Sequence, residues 1–231
     1  VCSSDLMGAW DDNLTHEDRY EIAEEWITII KRLWSEKSVD YKGRFFKMED
    51  CHSDPKPMSR PRPDLVAAGQ SDRGFQFSTK HADICFIGGR SNEERRMHSR
   101  RAREIATANG NNNAKVYAMC TIVHEDTDAK AEALLQHFQD GVDMGAIMAQ
   151  MKSWGMSPER IAAAAGNLPV SQNYTAVGSP ETCRQKIEEY VDFCELDGLM
   201  LIFPDYLKGL TMFGEDILPK LRASAPSSMA R

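Results

Sequence analysis

The chain has 231 residues, 42% of them apolar and 27% charged, and a formal net charge of -7. This is the composition of a folded globular chain, and a net negative charge without an extended Lys/Arg block argues against a nucleic-acid partner. No run of about 18 apolar residues occurs, so no membrane-spanning helix is expected, and the N-terminus lacks the pattern of a secretory signal. Six cysteines without a C-x-x-C pair predict free thiols in a reducing cytoplasm, with Cys85 and Cys120 set in apolar runs as buried side chains. Residues Val1-Cys2-Ser3-Ser4-Asp5-Leu6 are those a common sequencing-adapter tail encodes. They are read as a non-native leader before the fold proper at residues 7–231.

In chain order, Thr15 with Asp18 three positions later signals a helix start, and Ala23, Trp26, Ile27, Ile30, Leu33 and Trp34 follow at helical spacing. Tyr41–Phe46, aromatic and glycine-punctuated, predicts a small strand pair or an extended loop. Four prolines between Pro55 and Pro63 exclude helix and central strand. Then come an apolar strand at 64–68 ending on Gly69, a helix over 72–81, a buried strand at 83–87 and a polar helix over 92–108 stopped by Asn109-Gly110. A third strand at 115–123 and a helix from Thr127 to at least Phe138 follow. Residues 141–176 break the rhythm with Met-rich pieces and are read as an insertion. Ser179-Pro180-Glu181 starts a helix, a fourth strand spans 199–203, and a last helix covers 207–221.

Strand–helix alternation predicts a parallel α/β sheet with right-handed crossovers. Four β/α units allow an open doubly wound sheet. They also allow about half of a (β/α)8 TIM barrel. The leading helix, with no strand before it, favours the truncated barrel.

The turn Ala68-Gly69-Gln70-Ser71 lies between a strand and a helix start. Gly69 permits a sharp turn and close ligand approach, Ser71 supplies a cap hydroxyl, and the free N–H groups of the first helical turn favour an anion. The same residues also serve as an ordinary helix cap. Arg19 and Tyr20, at the start of the leading helix, would complete a phosphate cradle if that helix packs beside the turn. Otherwise they are a surface arginine and a half-buried tyrosine. His81 reads as a packed helix-end histidine. His124-Glu125-Asp126 and Asp205-Tyr206 follow strands, at pocket positions or as polar loop residues. The Met cluster Met144, Met148, Met151 and Met156 fits core packing or an adaptable cover.

The chain resembles the luciferase-like flavin monooxygenases, most closely those that act on pyrimidines in uracil degradation. The resemblance rests on Met7-Gly8-Ala9-Trp10, Arg19-Tyr20-Glu21, Leu33-Trp34, Asp40–Phe46, Ala68–Gly74, His81-Ala82-Asp83, Val177-Gly178-Ser179 and Phe213-Gly214-Glu215. It implies the C-terminal half of a luciferase-like barrel, with Arg19, Tyr20, Gly69, Gln70 and Ser71 at the phosphate of FMN. It further implies reduced FMN from a separate NAD(P)H:flavin reductase, O2 and a small organic substrate such as uracil, and a homo-oligomer when full length. An organosulfur or chelate substrate, or a non-catalytic half-barrel that binds a phosphate-bearing ligand, are the alternatives. The resemblance leaves the catalytic residues unassigned, since the family's first half is not in this sequence.

Overall fold

The structure is a computed structural model that describes residues 14–153, 157–159 and 173–224. The leader at 1–6, the motif Met7–Trp10, Trp154 and Met156 lie outside the described residues. The chain divides into two units, Val1–Phe86 with Arg101–Val116, and Ile87–Arg100 with Tyr117–Arg231.

The first unit begins with α1 (His16–Ser35), closed at its start by a capping box in which Thr15 and Asp18 bond each other's backbone. The hairpin β1 (Val39–Lys42) and β2 (Lys47–Cys51) is antiparallel. Ile29 and Leu33 of α1 bury against Val39, with Tyr41, Phe46 and Met48 around them. Trp26, counted in the sequence stripe, is 52% exposed instead. The reason is that α1 packs against both the hairpin and the helix α2 (Asp72–His81). Its buried positions Ile27, Ile29 and Leu33 therefore do not follow one stripe. Strands β3 (Val66–Ala68) and β4 (Ile84–Ile87) pair in parallel, Val66 opposite Ile84. The polar helix α3 spans Asn92–Ala108.

β5 (Lys115–His124) lies in the second unit from Tyr117 on and pairs there in parallel with β6 (Tyr174–Gly178) along Cys120–His124 and with β7 (Gly198–Ile202) along Tyr117–Thr121. Helices α4 (Asp128–Asp140), α5 (Met144–Ser153) and α6 (Pro180–Cys194) complete the strand–helix alternation. Ser179 caps α6, and Pro180 opens it. After β7, α7 (Tyr206–Met212) runs into a π turn (Phe213–Ile217) and α8 (Leu218–Ser224). The single last helix expected over 207–221 is thus interrupted by a wider turn.

Outside the hairpin the structure has five described strands where the sequence reading counts four. The additional one is β6, which begins inside the stretch read as an insertion. The core of this unit sets Val123 and Val177 against Ala131. Tyr174 stacks on the buried Tyr190 at 4.1 Å. Cys120, Cys183 and Cys194 are fully enclosed. The five described cysteines are free thiols, and burial pushes Cys120 up to about 12 and Cys85 and Cys183 up to about 11. Cys85, Cys120 and Cys183 pack as small apolar side chains and are not nucleophiles at neutral pH. Among the described residues no helix is long and apolar enough to cross a membrane.

Candidate active site: a glycine crossing at the start of α2

β3 leaves the sheet at Ala68, and α2 starts at Asp72 with Ser71 as its cap. The chain can make so short a turn because two glycines cross. A Cβ on Gly69 would stand 2.7 Å from Cα of Gly74, and one on Gly74 would stand 2.8 Å from Cα of Gly69. Both faces of the contact are backbone, which cannot give way.

The phenol of Tyr20 reaches the same point. Its Oη lies 3.2 Å from the position of a Gly69 Cβ and 2.9 Å from that of a Gly74 Cβ. The ring is held by His16 edge-on at 5.1 Å, Phe77 at 5.8 Å and the Arg73 guanidinium at 5.1 Å. Arg73 in turn bonds Glu17 at 2.7 Å and Glu24 at 3.0 Å, which ties the first turn of α2 to the face of α1. Arg73 is therefore a positioning residue that sequence reading quoted only as part of a motif. The available signal was Glu17 and Glu24, seven residues apart and so on one helical face.

At the cap, Ser71 Oγ accepts the N–H of Gly74 at 3.1 Å. That uses a lone pair and leaves the hydroxyl proton free to donate. The N–H groups of Asp72 and Arg73, first and second in α2, have no carbonyl within the helix to bond. They sit at the positive end of the helix dipole. Asp72 would oppose an anion there, but Arg101 pairs with its carboxylate at 3.2 Å. Arg19 sits exposed one residue before Tyr20 on α1, and Gln70 is exposed in the turn. The structure thus brings the Tyr20 phenol to the Gly69–Gly74 crossing, with Ser71 capping the same turn at Gly74, whereas Arg19 and Gln70 are exposed on α1 and in the turn. The donors at the turn suit a phosphate: the Ser71 hydroxyl, the two backbone N–H groups of Asp72 and Arg73, and the Tyr20 phenol. The two glycines let α2 start this close to β3 with the Tyr20 phenol against both of them.

The other candidates fall elsewhere. His81 ends α2, its side chain 13% exposed and its ring 5.1 Å from Phe77. Burial pushes its imidazole below the usual range, although Glu24 acts against that. It is a packed helix-end residue. His124, Glu125 and Asp205 line a cleft of the second unit, whereas Tyr206 is 58% exposed. Of the methionines on α5 only Met151 is buried, and Met148 is exposed.

The Tyr41–Phe46 element is explained without a ligand. Glu25 of α1 accepts the backbone N–H groups of Arg44, Phe45 and Phe46 at 2.7, 3.1 and 3.0 Å. A side chain on Gly43 would run into that carboxylate.

The sequence model of the family described as luciferase-like monooxygenase matches residues 4–194. The chain belongs to this family. Among the luciferase-like monooxygenases, it is 31% identical over 223 residues to the pyrimidine monooxygenase RutA of Acinetobacter baylyi, covering 92% of this chain and 60% of that protein. The chain therefore spans about three fifths of the curated relatives it matches. Among solved structures it superposes on the long-chain alkane monooxygenase LadA with a TM-score of 0.82 at 20% identity, over 96% of this chain and 60% of that one. For DmoA of Hyphomicrobium sulfonivorans the values are 0.75 and 22%, over 96% and 59%. These likenesses establish the luciferase-like α/β fold.

Proposed function

We propose that this chain is the C-terminal part of a flavin-dependent monooxygenase barrel and supplies the phosphate end of the FMN site. The observation that carries the reading is the Gly69–Gly74 crossing under the Tyr20 phenol, beside the open N–H groups of α2. Ser71 would donate its hydroxyl proton to a phosphate oxygen, the N–H groups of Asp72 and Arg73 would take a second, and Arg19 and Tyr20 would close the cradle from α1. Gln70 lies in the turn between them. Reduced FMN, delivered by a separate NAD(P)H:flavin reductase, supplies the oxygen chemistry with O2. The chain's part is to bind and orient the cofactor.

The relatives named pyrimidine monooxygenase make a pyrimidine such as uracil the first substrate to test. An organosulfur or chelating compound is the second class. The cofactor claim is tested by titrating the protein with FMN and with riboflavin, which lacks the phosphate. FMN binding at least about tenfold tighter is expected, the worth of one or two charge-assisted hydrogen bonds. Equal affinities would remove the phosphate site. The substrate claim is tested by adding reductase, FMN, NADH and a panel of pyrimidine, organosulfur and chelate substrates to the full-length protein, and by measuring which compound is oxygenated. Flavin-independent phosphate binding with no oxygenation of any substrate would favour a non-catalytic binding module.

A further inference from the structure

Helices α1 and α2 pack in parallel, with their contacts rising in step. Glu17 bonds Arg73, Tyr20 meets Phe77, and Glu24 meets Lys80 and His81. The Tyr20 phenol lies at the glycine crossing, and His81 ends α2 at the other side of the pair.

Two chains of contact join these places. One is made of rings: His81 lies 5.1 Å from Phe77, and Phe77 lies 5.8 Å from Tyr20. The other is polar. Oε1 of Glu24 accepts a hydrogen bond from Nη1 of Arg73 at 3.0 Å, and the Arg73 guanidinium lies 5.1 Å over the Tyr20 ring. Nε2 of His81 stands 3.8 Å from the same Oε1, too far for a hydrogen bond. That nitrogen is buried and has no hydrogen-bond partner, a condition it shares among the described residues only with Nδ1 of His124 in the second unit. Buried polar atoms are nearly always paired, so such a gap beside a carboxylate calls for an explanation.

The charges around the imidazole are Glu24 and Lys31 on α1 and Arg73 and Lys80 on α2. Burial is the largest influence and lowers its proton affinity, Glu24 raises it, and the three cations lower it again, so the ring takes up its proton below its ordinary 6.5. Lys31 is engaged on the carbonyl of His81 at 2.7 Å, and Lys80 on Oε2 of Glu24 at 3.5 Å. The neutral imidazole leaves Oε1 to Arg73. In the protonated ring both nitrogens donate, and Oε1 is the acceptor that Nε2 faces. Closing that gap draws Glu24 away from Arg73, and the movement of the ring is passed to Phe77. Both supports of the Tyr20 ring then loosen.

We infer that His81 is a positioning residue for the Tyr20 phenol, and that its protonation weakens the hold of the glycine crossing on a flavin phosphate. The effect on flavin rests on the phosphate reading of that turn, whereas the coupling of His81 to Tyr20 stands without it.

The test has two arms. Without flavin, the ring signals of His81 and Tyr20 are followed by NMR between about pH 8 and about pH 5.5, the range in which imidazoles titrate. Tyr20 is expected to shift along the titration curve of His81. The response should vanish in His81→Phe, which keeps a ring beside Phe77 and takes no proton, and shrink in Glu24→Gln, which removes the charge facing the imidazole. With flavin, the dissociation constant of FMN is measured at both ends of the range. The phosphate takes up its own second proton near about pH 6 in every variant, so the readout is the ratio of the acid constant to the alkaline one. That ratio is expected to be at least about threefold larger in the parent than in His81→Phe. A Tyr20 signal indifferent to His81, or the same ratio in both proteins, would overturn the inference. Riboflavin titrated in the same samples separates the two failures. Equal FMN and riboflavin affinities in the parent would remove the phosphate site and with it the flavin effect, whereas preferred FMN with unchanged ratios would remove the role of His81 alone.

Discussion

At Gly43–Phe46 three backbone N–H groups converge on a carboxylate of the same chain, and at Gly69–Gly74 two N–H groups point away from the helix that would otherwise use them. Both turns begin on a glycine, both pack beside α1, and both belong to the stretches that carry the family resemblance. The first is filled from within by Glu25. The second is framed by Tyr20, capped by Ser71 and left open at its donors. A glycine turn in a shared motif is thus no sign of a ligand until its donors are accounted for. The one whose N–H groups are satisfied is a structural latch, and the one whose N–H groups are not is the candidate site.

The largest effect is expected where the contrast is set by backbone on backbone. Gly74→Ala forces a methyl to within 2.8 Å of Gly69. About 3 kcal/mol of stability should be lost in thermal unfolding, and FMN binding should disappear in whatever remains folded. Unchanged FMN affinity in this variant would dissolve the distinction between the two turns.

Next comes the latch. Glu25→Ala leaves three N–H groups without their acceptor and should cost about 2 kcal/mol in denaturant unfolding, with FMN affinity of the folded protein intact. Its pH dependence has a definite sign. Burial pushes the Glu25 carboxyl up, and the N–H groups of Phe46, Arg44 and Phe45 pull it further down, so it lies below its ordinary 4.5. A depressed carboxylate stabilises the fold above that value, and the stabilisation is lost as pH falls through the lower folded value. An acid titration of the melting temperature should therefore show a smaller loss in Glu25→Ala than in the parent.

A smaller and sharper separation uses two helix caps. Thr15 and Ser71 each accept an N–H at the start of a helix. Thr15→Ala and Ser71→Ala should each cost about 1 kcal/mol. Only Ser71→Ala should also weaken FMN, by about tenfold; equal flavin affinity in both would make Ser71 a cap and nothing more. The smallest expected change in stability is that of Tyr20→Phe, which keeps the ring among His16, Phe77 and Arg73. Its unfolding should stay within about 0.5 kcal/mol of the parent, and a severalfold loss of FMN affinity would isolate the phenol oxygen.

Much of this was legible in the chain because local chemistry and fold agree. The α2 bounds at 72–81 and the α3 bounds at 92–108 follow from the cap at Ser71 and the stop at Asn109-Gly110, and both match the structure. β6 was missed although Tyr174, Thr175 and Val177 are good strand residues. Five residues after a Met- and Ala-rich stretch offer no period long enough to assign. The Gly69 turn was legible as an anion site or a cap, but not the reason for Gly74. A contact between two glycine backbones leaves no side-chain signature. His124 was legible as a residue at the end of a strand. Its burial beside the carbonyl of Gly209, 85 positions away, was not, since no local pattern brings the two together.

Near the far end, the π turn at Phe213–Ile217 acts as slack in the chain. Its backbone bonds reach one residue further than those of an α-helix, with the N–H of Leu218 on the carbonyl of Phe213. The surplus residue is absorbed while Phe213 and Ile217 both stay buried, and a side chain on Gly214 would meet nothing within 4 Å. Loss of a single codon there would tighten the turn into ordinary helix and leave the faces on either side aligned. In a regular helix such as α6 the same loss would swing everything downstream by about 100°. Length variation in descendants of this gene is therefore best tolerated at Phe213–Ile217.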